Sequence, residues 1–252
     1  MRDFELAKQL IANLDLTSLN KNDTDDTVIN LCKKATTQDS PVAAVCIWPK
    51  FVHIASKFLK ETDISVATVV NFPHGDIKTD PVAAEIKKAL SSGADEIDAV
   101  FPYKAFLDNN LDACRSFLDT VTRLTKDVTL KIILESGAFP HIRHLQNACR
   151  LCLEYDIDFL KTSTGKTDVS ATPEAANVIL ETIKSSKRNV GFKASGGIKT
   201  FEQARQYFYL AQTIMGAKWP LDTRHFRIGA SSLLDDLNKT IKKDINLCYR
   251  KS

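Results

Sequence analysis

The sequence predicts an α/β protein with a single (β/α)8 (TIM) barrel and a short helix before the first strand. Strand-like and helix-like segments alternate along the chain, which favours a parallel sheet. The strand centres recur about every thirty residues, the length of one β-α-β step. They lie near residues 15, 45, 67, 98, 131, 159, 192 and 227. Eight such units in 252 residues match the size of a closed barrel.

The first half of the chain is predicted to contain the short helix and the first four strands. Residues 4–13 have the spacing of an amphipathic helix, and residues 14–17 form a brief apolar run that contains one acid. Asp23, Asp25 and Asp26 mark the start of a helix that runs to Lys34. Carboxylates are favoured there because the N-terminus is the positive end of the helix dipole. The next elements are a strand over 42–47 with a helix to Lys60, a strand over 64–70 with a helix to Ser91, and a strand over 94–101 with a helix to Leu124.

The second half continues the alternation. Its elements are a strand over 128–135 with a helix over 141–155, a strand over 157–162 with a helix over 172–185, a strand over 190–194 with a helix over 200–214, and a strand over 225–229 with a final helix that starts at 230–232. Thr172 as N-cap and Pro173 at the first helical position mark one start clearly. A doubly wound open sheet is the alternative, but no Gly-x-Gly-x-x-Gly motif follows any strand. Without a linker or repeat, residues 1–252 are expected to form one domain.

Composition excludes several classes of function. The chain is 44% hydrophobic and 26% charged, which is typical of a globular protein. Its 34 basic and 31 acidic residues give a net charge of +3, too balanced to indicate a nucleic-acid or membrane partner. No apolar run approaches the length of a membrane span, and residues 1–5 carry acids where a signal peptide needs apolar residues. A cytoplasmic protein is expected.

The cysteines agree with that expectation. Six of them are scattered through helix and strand patterns, which favours reduced thiols in the cytosol. A zinc site from His141, His144, Cys149 and Cys152 is rejected. All four lie on one predicted helix, where eleven residues span roughly 16 Å, too far for one tetrahedral ion.

Four successive predicted strands each carry one ionisable residue among apolar neighbours: Asp98, Lys131, Lys161 and Lys193. One such charge alone fits a strand end or a solvated edge. Four together do not, because an unpaired buried charge costs more than a domain can offset. Side chains alternate along a strand, so all four can point into one lumen. The pattern therefore predicts a polar cluster of the kind found in active sites.

Paired lysines indicate nucleophilic catalysis through a Schiff base. An unperturbed lysine is only about 0.04% free amine at pH 7, whereas a pKa lowered by ~3 units makes roughly a quarter reactive. A second ammonium at ~6 Å, with an effective dielectric near 20, supplies on the order of 2.8 kcal/mol, or about two pKa units. Partial desolvation is expected to supply the rest. Asp98 beside the pair then fits proton transfer.

Glycine-rich turns late in the chain predict a phosphate site. Gly165-Lys166, Gly196-Gly197 and the segment 229–232, which contains Ser231 and Ser232, all follow strands. Phosphate sites in these barrels use the loops after the last strands and a helix N-terminus. Each glycine taken alone is more simply a turn. The segment 165–167 is not a nucleotide-binding P-loop, because residue 160 is leucine.

Seven segments, in order and over nearly the whole chain, resemble the deoxyribose-phosphate aldolases. They are residues 14–17, 46–49, 71–75, 94–98, 159–166, 191–197 and 229–232. The resemblance implies a metal-free class I aldolase that reversibly cleaves 2-deoxy-D-ribose 5-phosphate to D-glyceraldehyde 3-phosphate and acetaldehyde, in deoxyribose catabolism. It implies no cofactor and a small phosphorylated sugar as partner, and it is compatible with a homodimer.

The resemblance also implies roles for individual residues. Lys161 forms the Schiff base, Lys193 lowers its pKa, and Asp98 is the proton-transfer acid and base. Lys131 gives polar support. The residues implied to bind substrate are Asp15, Thr17 and Lys166 toward the sugar, and Gly165, Gly196, Gly197, Gly229, Ser231 and Ser232 toward the phosphate.

Two positions depart from the family pattern. Lys199 follows the Gly-Gly turn where many relatives have arginine, which removes a bidentate grip on phosphate. Some relatives end in a tyrosine that reaches the phosphate, whereas this chain has Tyr249 followed by three more residues. Whether Cys46 faces the pocket or the core stays open. The competing functions are a transaldolase-like or fructose-type aldolase and a non-catalytic phosphate-binding barrel, which would have no use for paired lysines.

Overall fold

Eight parallel strands close into a barrel in the order β1 to β8, with β1 hydrogen-bonded to both β2 and β8. The computed structural model describes residues 1–36 and 40–249, with side chains described up to residue 243. The strands are β1 Leu14–Ser18, β2 Ala44–Ile47, β3 Ser65–Val70, β4 Glu96–Val100, β5 Thr129–Ile133, β6 Phe159–Lys161, β7 Gly191–Ser195 and β8 Phe226–Ala230. The predicted (β/α)8 fold is confirmed.

Helices surround this barrel, and the short helix that precedes β1 is present. They are α1 Asp3–Ala12, α2 Asp25–Thr36, α3 Val52–Leu59, α4 Thr79–Ser91, α5 Tyr103–Leu107, α6 Leu111–Leu124, α7 Ile142–Cys152, α8 Pro173–Ser186, α9 Phe201–Met215 and α10 Leu233–Tyr249. The Thr172 hydroxyl accepts a hydrogen bond from the amide of Ala175 at the start of α8, as its N-cap pattern predicts. None of the helices in the described ranges combines the length and apolarity that crossing a bilayer requires.

The chain after β4 differs from the prediction of one helix that ends at Leu124. The structure has two helices, α5 and α6, because Asn109 adopts a left-handed conformation with φ of 59°. Asparagine tolerates this region better than most residues. Asn110 then caps α6 by accepting a hydrogen bond from the amide of Ala113.

The inside of the barrel has an apolar wall on β2 and β3. Small side chains fill it: Ala44, Cys46, Ala67 and Val69, with Leu19 from the loop after β1. Cys46 is fully buried there, and burial together with the Asp98 charge raises the pKa of its thiol. Cys46 therefore packs inside the barrel beside the charged residues, and it does not line the cavity described below.

The other cysteines whose side chains are described are also buried and unpaired. Burial raises the pKa of Cys32 and of Cys114 to about 11, so both are neutral thiols at physiological pH. Cys149 and Cys152 point into the core while His141 and His144 are exposed, so the four residues rejected as a zinc site face in different directions. The side chains of Cys248 and Tyr249, and the tail at 250–252, lie outside the described part.

Candidate active site

Strand register brings the ionisable residues to the same level of the barrel. Lys161 on β6 lies directly opposite Lys193 on β7, and Lys193 lies opposite Arg227 on β8. Asp98 on β4 lies opposite Lys131 on β5. Each of these side chains points inward, and each is at most 6% exposed. We call the following residues the lumen cluster: Asp15, Glu96, Asp98, Lys131, Lys161, Lys193 and Arg227.

Asp98 is the junction of the three lysines. Its Oδ2 accepts hydrogen bonds from Lys161 Nζ and from Lys193 Nζ, both at 2.7 Å. Its Oδ1 accepts from Lys131 Nζ at 2.9 Å. Because one oxygen holds both nitrogens, Lys161 Nζ and Lys193 Nζ are separated by at most twice that 2.7 Å. The two lysines share one side of the lumen.

Beneath this junction, two further carboxylates complete the cluster. Asp15 accepts from Lys193 Nζ through Oδ2 and from Arg227 Nη1 through Oδ1, the latter at 2.7 Å. Glu96 accepts from Lys131 Nζ and, at 3.1 Å, from Arg227 Nη2. In the described part of the chain, every buried side-chain nitrogen and oxygen has a hydrogen-bond partner. The charges are therefore paired, which is what burial requires.

The pKa of Lys161 lies below its ordinary value. Burial is the largest cause, since it disfavours the ammonium; the Asp98 carboxylate opposes the shift, and the Lys193 ammonium adds to it. The direction agrees with the sequence-based expectation, but the order of causes does not. From the sequence, the second ammonium is expected to contribute most. Its contribution is smaller than those of burial and of Asp98, since the Lys161 side chain is buried and its Nζ contacts Asp98 directly.

Lys193 and Asp98 keep their charges. Burial alone would lower the pKa of Lys193, but Asp15 and Asp98 outweigh it and raise that pKa. Burial likewise opposes the Asp98 charge, yet Lys131, Lys161 and Lys193 hold its pKa well below the usual range. At neutral pH the site thus has a fixed ammonium and a fixed carboxylate beside an amine that loses its proton more easily.

A cavity of about 160 Å³ opens above the cluster at the carboxyl ends of the strands. Its lining residues come mostly from the loops after β1, β6, β7 and β8. They are Thr17, Leu19, Asn20, Lys161, Thr164, Gly165, Lys166, Ser195, Gly196, Gly197, Ile198, Lys199, Gly229, Ala230 and Ser231. Among the described residues of the lumen cluster, Lys161 alone reaches this lining.

Glycines shape the cavity wall. Gly165, Gly196 and Gly197 have φ of 73°, 94° and 82°, a backbone region that favours glycine. At Gly229 the reason is space: a Cβ would lie 3.0 Å from Lys193 Cε and 2.9 Å from Ser195 Cβ. Gly229 therefore makes room for the Lys193 side chain as well as lining the cavity.

The loop after β6 is anchored at both sides of the cavity. Lys166 Nζ donates to the carbonyl of Leu19 at 2.7 Å. Glu135, just after β5, accepts from the hydroxyl groups of Thr164 and Thr167. Glu135 is fully buried and has a left-handed φ of 58°. These contacts hold Gly165 and Lys166 against the cavity.

Not every predicted substrate-binding residue meets the cavity. Thr17, Lys166, Ser231 and the four predicted glycines line it, whereas Ser232 does not. Thr17 donates its hydroxyl to the carbonyl of Asp15. Asp15 is fully buried below the lining, with its oxygens held by Lys193 and Arg227. The Asp15 geometry fits support of Lys193 better than contact with a sugar hydroxyl.

Three residues of the site were not assigned roles from sequence: Glu96, Glu135 and Arg227. Arg227 lies in Phe226-Arg227-Ile228, one charge within an apolar strand, which is the pattern that singled out the lysines. Glu96 lies two residues from Asp98 and therefore faces the same way. Glu135 gives no such signal, because its role depends on a loop 29 residues further along the chain.

Comparison with known proteins places this geometry among aldolases. Residues 9–239 match the family model described as DeoC/LacD family aldolase. A proposed deoxyribose-phosphate aldolase from Coccidioides immitis is 28% identical, with a TM-score of 0.83 over 93% of this chain and 86% of that one. A second, from Toxoplasma gondii ME49, is 25% identical, with a TM-score of 0.87 over 96% and 97%. An aldolase designated QR15 is 27% identical, with a TM-score of 0.80 over 94% and 98%.

Proposed function

The chain belongs to the DeoC/LacD family of aldolases, and on that premise we propose that it is a deoxyribose-phosphate aldolase. It would reversibly cleave 2-deoxy-D-ribose 5-phosphate to D-glyceraldehyde 3-phosphate and acetaldehyde, through a Schiff base on Lys161. One observation carries the proposal. Lys161 is the lumen-cluster residue that reaches the cavity, and its pKa is lowered while the neighbouring Lys193 stays charged.

In the first step, the neutral Lys161 amine attacks the C1 aldehyde of the open-chain sugar. The carbonyl oxygen is protonated and leaves as water, and an iminium forms between Lys161 and C1. The iminium is cationic, and the Asp98 carboxylate that contacts Lys161 Nζ at 2.7 Å is well placed to balance that charge. Asp98 thereby favours the intermediate over the neutral carbinolamine.

In the second step, the C2–C3 bond breaks. Its electron pair moves into the iminium and gives an enamine, while the C3 hydroxyl loses its proton and becomes the aldehyde of D-glyceraldehyde 3-phosphate. Asp98 lies beneath the cavity lining, so we route this proton to it through a water molecule and the Lys193 ammonium. Protonation of the enamine at C2 and hydrolysis then release acetaldehyde and restore Lys161.

The phosphate is assigned to the loops after β6, β7 and β8. Left-handed glycines at 165, 196 and 197 line the cavity together with Ser231, Lys166 and Lys199. Without side chains, the glycines leave their backbone amides accessible to a phosphate. Amide donors together with cations are the usual means of binding a phosphate. Lys199 supplies a point charge here in place of a bidentate arginine.

The remaining parts of the proposal follow from the chemistry. The iminium accepts the electrons of the broken bond, so the reaction requires neither a metal ion nor a cofactor. We further propose one domain over residues 1–252, a cytoplasmic location consistent with free, buried cysteines, and a role in deoxyribose catabolism. A homodimer is compatible with this proposal.

Borohydride trapping tests the nucleophile. Incubation with deoxyribose 5-phosphate or acetaldehyde and sodium borohydride should leave a reduced adduct on the peptide that contains Lys161, located by mass spectrometry. Lys161→Met should abolish the adduct and the activity, whereas Lys126→Met, at an exposed lysine, should change neither. An adduct on a different lysine, or no adduct in the unmodified protein, contradicts the proposal. Release of acetaldehyde, and not of a ketose fragment, distinguishes this activity from a transaldolase-like or fructose-type aldolase.

A further inference from the structure

Arg227 is a buried cation of the lumen that the reaction does not use. Its guanidinium bridges two carboxylates, Asp15 at 2.7 Å and Glu96 at 3.1 Å. The second oxygen of each carboxylate is held by a lysine, Lys193 for Asp15 and Lys131 for Glu96. Arg227 does not line the cavity. Any effect of Arg227 on the reaction therefore acts through the other residues of the lumen cluster and not through contact with substrate.

The charges of the described lumen cluster do not balance when every member is ionised. It has three carboxylates and four cations, which leaves one surplus positive charge among buried side chains. Arginine does not release a proton in proteins. Lys193 contacts two carboxylates, Asp15 and Asp98. Lys131 contacts three, because it also lies 3.7 Å from Asp15. Lys161 contacts one, Asp98, and shares it with both other lysines. Lys161 is therefore the cation whose charge is least compensated.

We propose that Arg227 is a positioning residue that keeps Lys161 in its amine form, because its permanent charge occupies Asp15 and Glu96 and makes the nucleophile the surplus cation. This inference rests on the proposed Schiff-base function of Lys161. Without the arginine charge, three carboxylates would face three lysines. The cluster would then be neutral only with Lys161 protonated, so the nucleophile would hold its proton more tightly.

The groups that face Lys161 come from several strands. Asp98 (β4), Lys131 (β5) and Lys193 (β7) surround its nitrogen directly or through Asp98. Cys46 (β2) is a neutral thiol because burial raises its pKa. The wall on β3 contributes Ala67 and Val69, which are apolar. Asp15 (β1), Glu96 (β4) and Arg227 (β8) complete the charge balance.

The sign and size of the effect follow from this balance. Lys161 must be unprotonated to attack, so activity rises with pH on the acid side of the profile. Loss of a unit charge about 10 Å away at an effective dielectric near 20 corresponds to about one pKa unit. Arg227→Met should therefore move the acid limb of log kcat/KM about one pH unit upward. On the acid side of the profile, the activity of the variant should be about tenfold lower than that of the unmodified protein, and it should recover at alkaline pH.

Four further variants separate the effect of the Arg227 charge from the effect of its side-chain shape. Arg227→Lys keeps the charge and should leave the limb in place. Glu96→Gln removes a carboxylate and should move the limb to lower pH. Arg227→Met combined with Glu96→Gln removes one charge of each sign and should return the limb toward its original position. Arg224→Met removes the same charge from an exposed side chain and should have no effect.

Competitive acetylation with acetic anhydride, followed by mass spectrometry, measures the pKa of Lys161 without any turnover and should show the same shifts. A folded Arg227→Met protein with an unmoved Lys161 pKa overturns the inference, as does an equal loss of activity at every pH. If Arg227→Met does not fold, the Glu96→Gln variant tests the inference instead. An unchanged or raised Lys161 pKa in Glu96→Gln would overturn it. Absence of a borohydride adduct on Lys161 in the unmodified protein would instead refute the proposed function, while the acetylation result would still stand.

Discussion

At Lys161, the burial that lowers the pKa also costs folding free energy. The side chain is 4% exposed, and desolvation is the largest cause of its shift. A lysine whose pKa is lower in the folded protein binds fewer protons there than in the unfolded chain. Below its unfolded pKa it therefore opposes folding, and stability rises with pH up to about 10.4. Lys161, the proposed nucleophile, is thus a destabilising residue at neutral pH.

Lys161→Met should remove the activity and stabilise the protein. We expect a gain of about 1 kcal/mol in the free energy of unfolding at pH 7, in the range usual for stabilising substitutions. Urea denaturation measures this, and the gain should shrink as the pH is raised toward 10. Lys126→Met, at the surface, should change stability by no more than about 0.5 kcal/mol. A Lys161→Met protein less stable than the unmodified protein would show that its contact with Asp98 outweighs desolvation.

At the scale of elements, the loop between β6 and α8 depends on Glu135. The left-handed conformation of this non-glycine residue costs about 1–3 kcal/mol, and the carboxylate compensates by accepting from Thr164 and Thr167. The same loop carries Gly165 and Lys166 to the cavity. One residue with a left-handed backbone at the end of β5 therefore positions the segment after β6 that is proposed to bind phosphate.

Glu135→Ala should release this loop and raise KM for deoxyribose 5-phosphate by about tenfold, since a hydrogen bond to a charged group contributes about 1.5–3 kcal/mol. KM for unphosphorylated deoxyribose should change much less. Steady-state kinetics with both substrates checks the difference. Glu135→Gln keeps an acceptor oxygen, so its KM for deoxyribose 5-phosphate should be close to that of the unmodified enzyme. Equal increases in KM for both sugars would mean that Glu135 does not act through the phosphate.

For the whole molecule, the lumen cluster ties together strands that are not neighbours in the barrel. Asp15 on β1 binds Lys193 on β7, and Glu96 on β4 binds Arg227 on β8. Buried ion pairs add little net stability compared with apolar packing, but breaking one leaves a buried charge without a partner. The pairs make the barrel sensitive to acid, because the pKa values of Asp15 and Asp98 lie below the usual range.

The contribution of these carboxylates to stability should be complete above about pH 5 and should be lost as the pH drops below about 4. A carboxylate with a lowered folded pKa contributes stability above its unfolded pKa, and that contribution is lost as the pH falls toward the folded pKa. Urea denaturation between pH 7 and pH 3 measures the slope. Asp15→Asn combined with Arg227→Met removes one pair without leaving a lone charge and should make the slope shallower. An unchanged slope would assign acid sensitivity to groups outside the lumen.

Local patterns predicted the architecture and much of the site. The strand spacing, the Thr172-Pro173 helix start and the lysines at 161 and 193 are all visible within a few neighbouring residues. The same patterns failed at Asn109 and Asn110, which read as ordinary polar residues of a helix surface. Their left-handed and capping conformations become evident only in the folded chain.

The sequence by itself determined the number and order of strands, the inward direction of the charged residues and which lysines could be nucleophiles. Only the tertiary structure gives the direction in which each lysine pKa moves, down for Lys161 and up for Lys131 and Lys193. That outcome depends on burial and on partners far apart in the chain: Asp98 is 63 residues from Lys161, and Asp15 is 212 residues from Arg227. Periodicity is a property of neighbouring residues, whereas a protonation state is a property of every charge around the group.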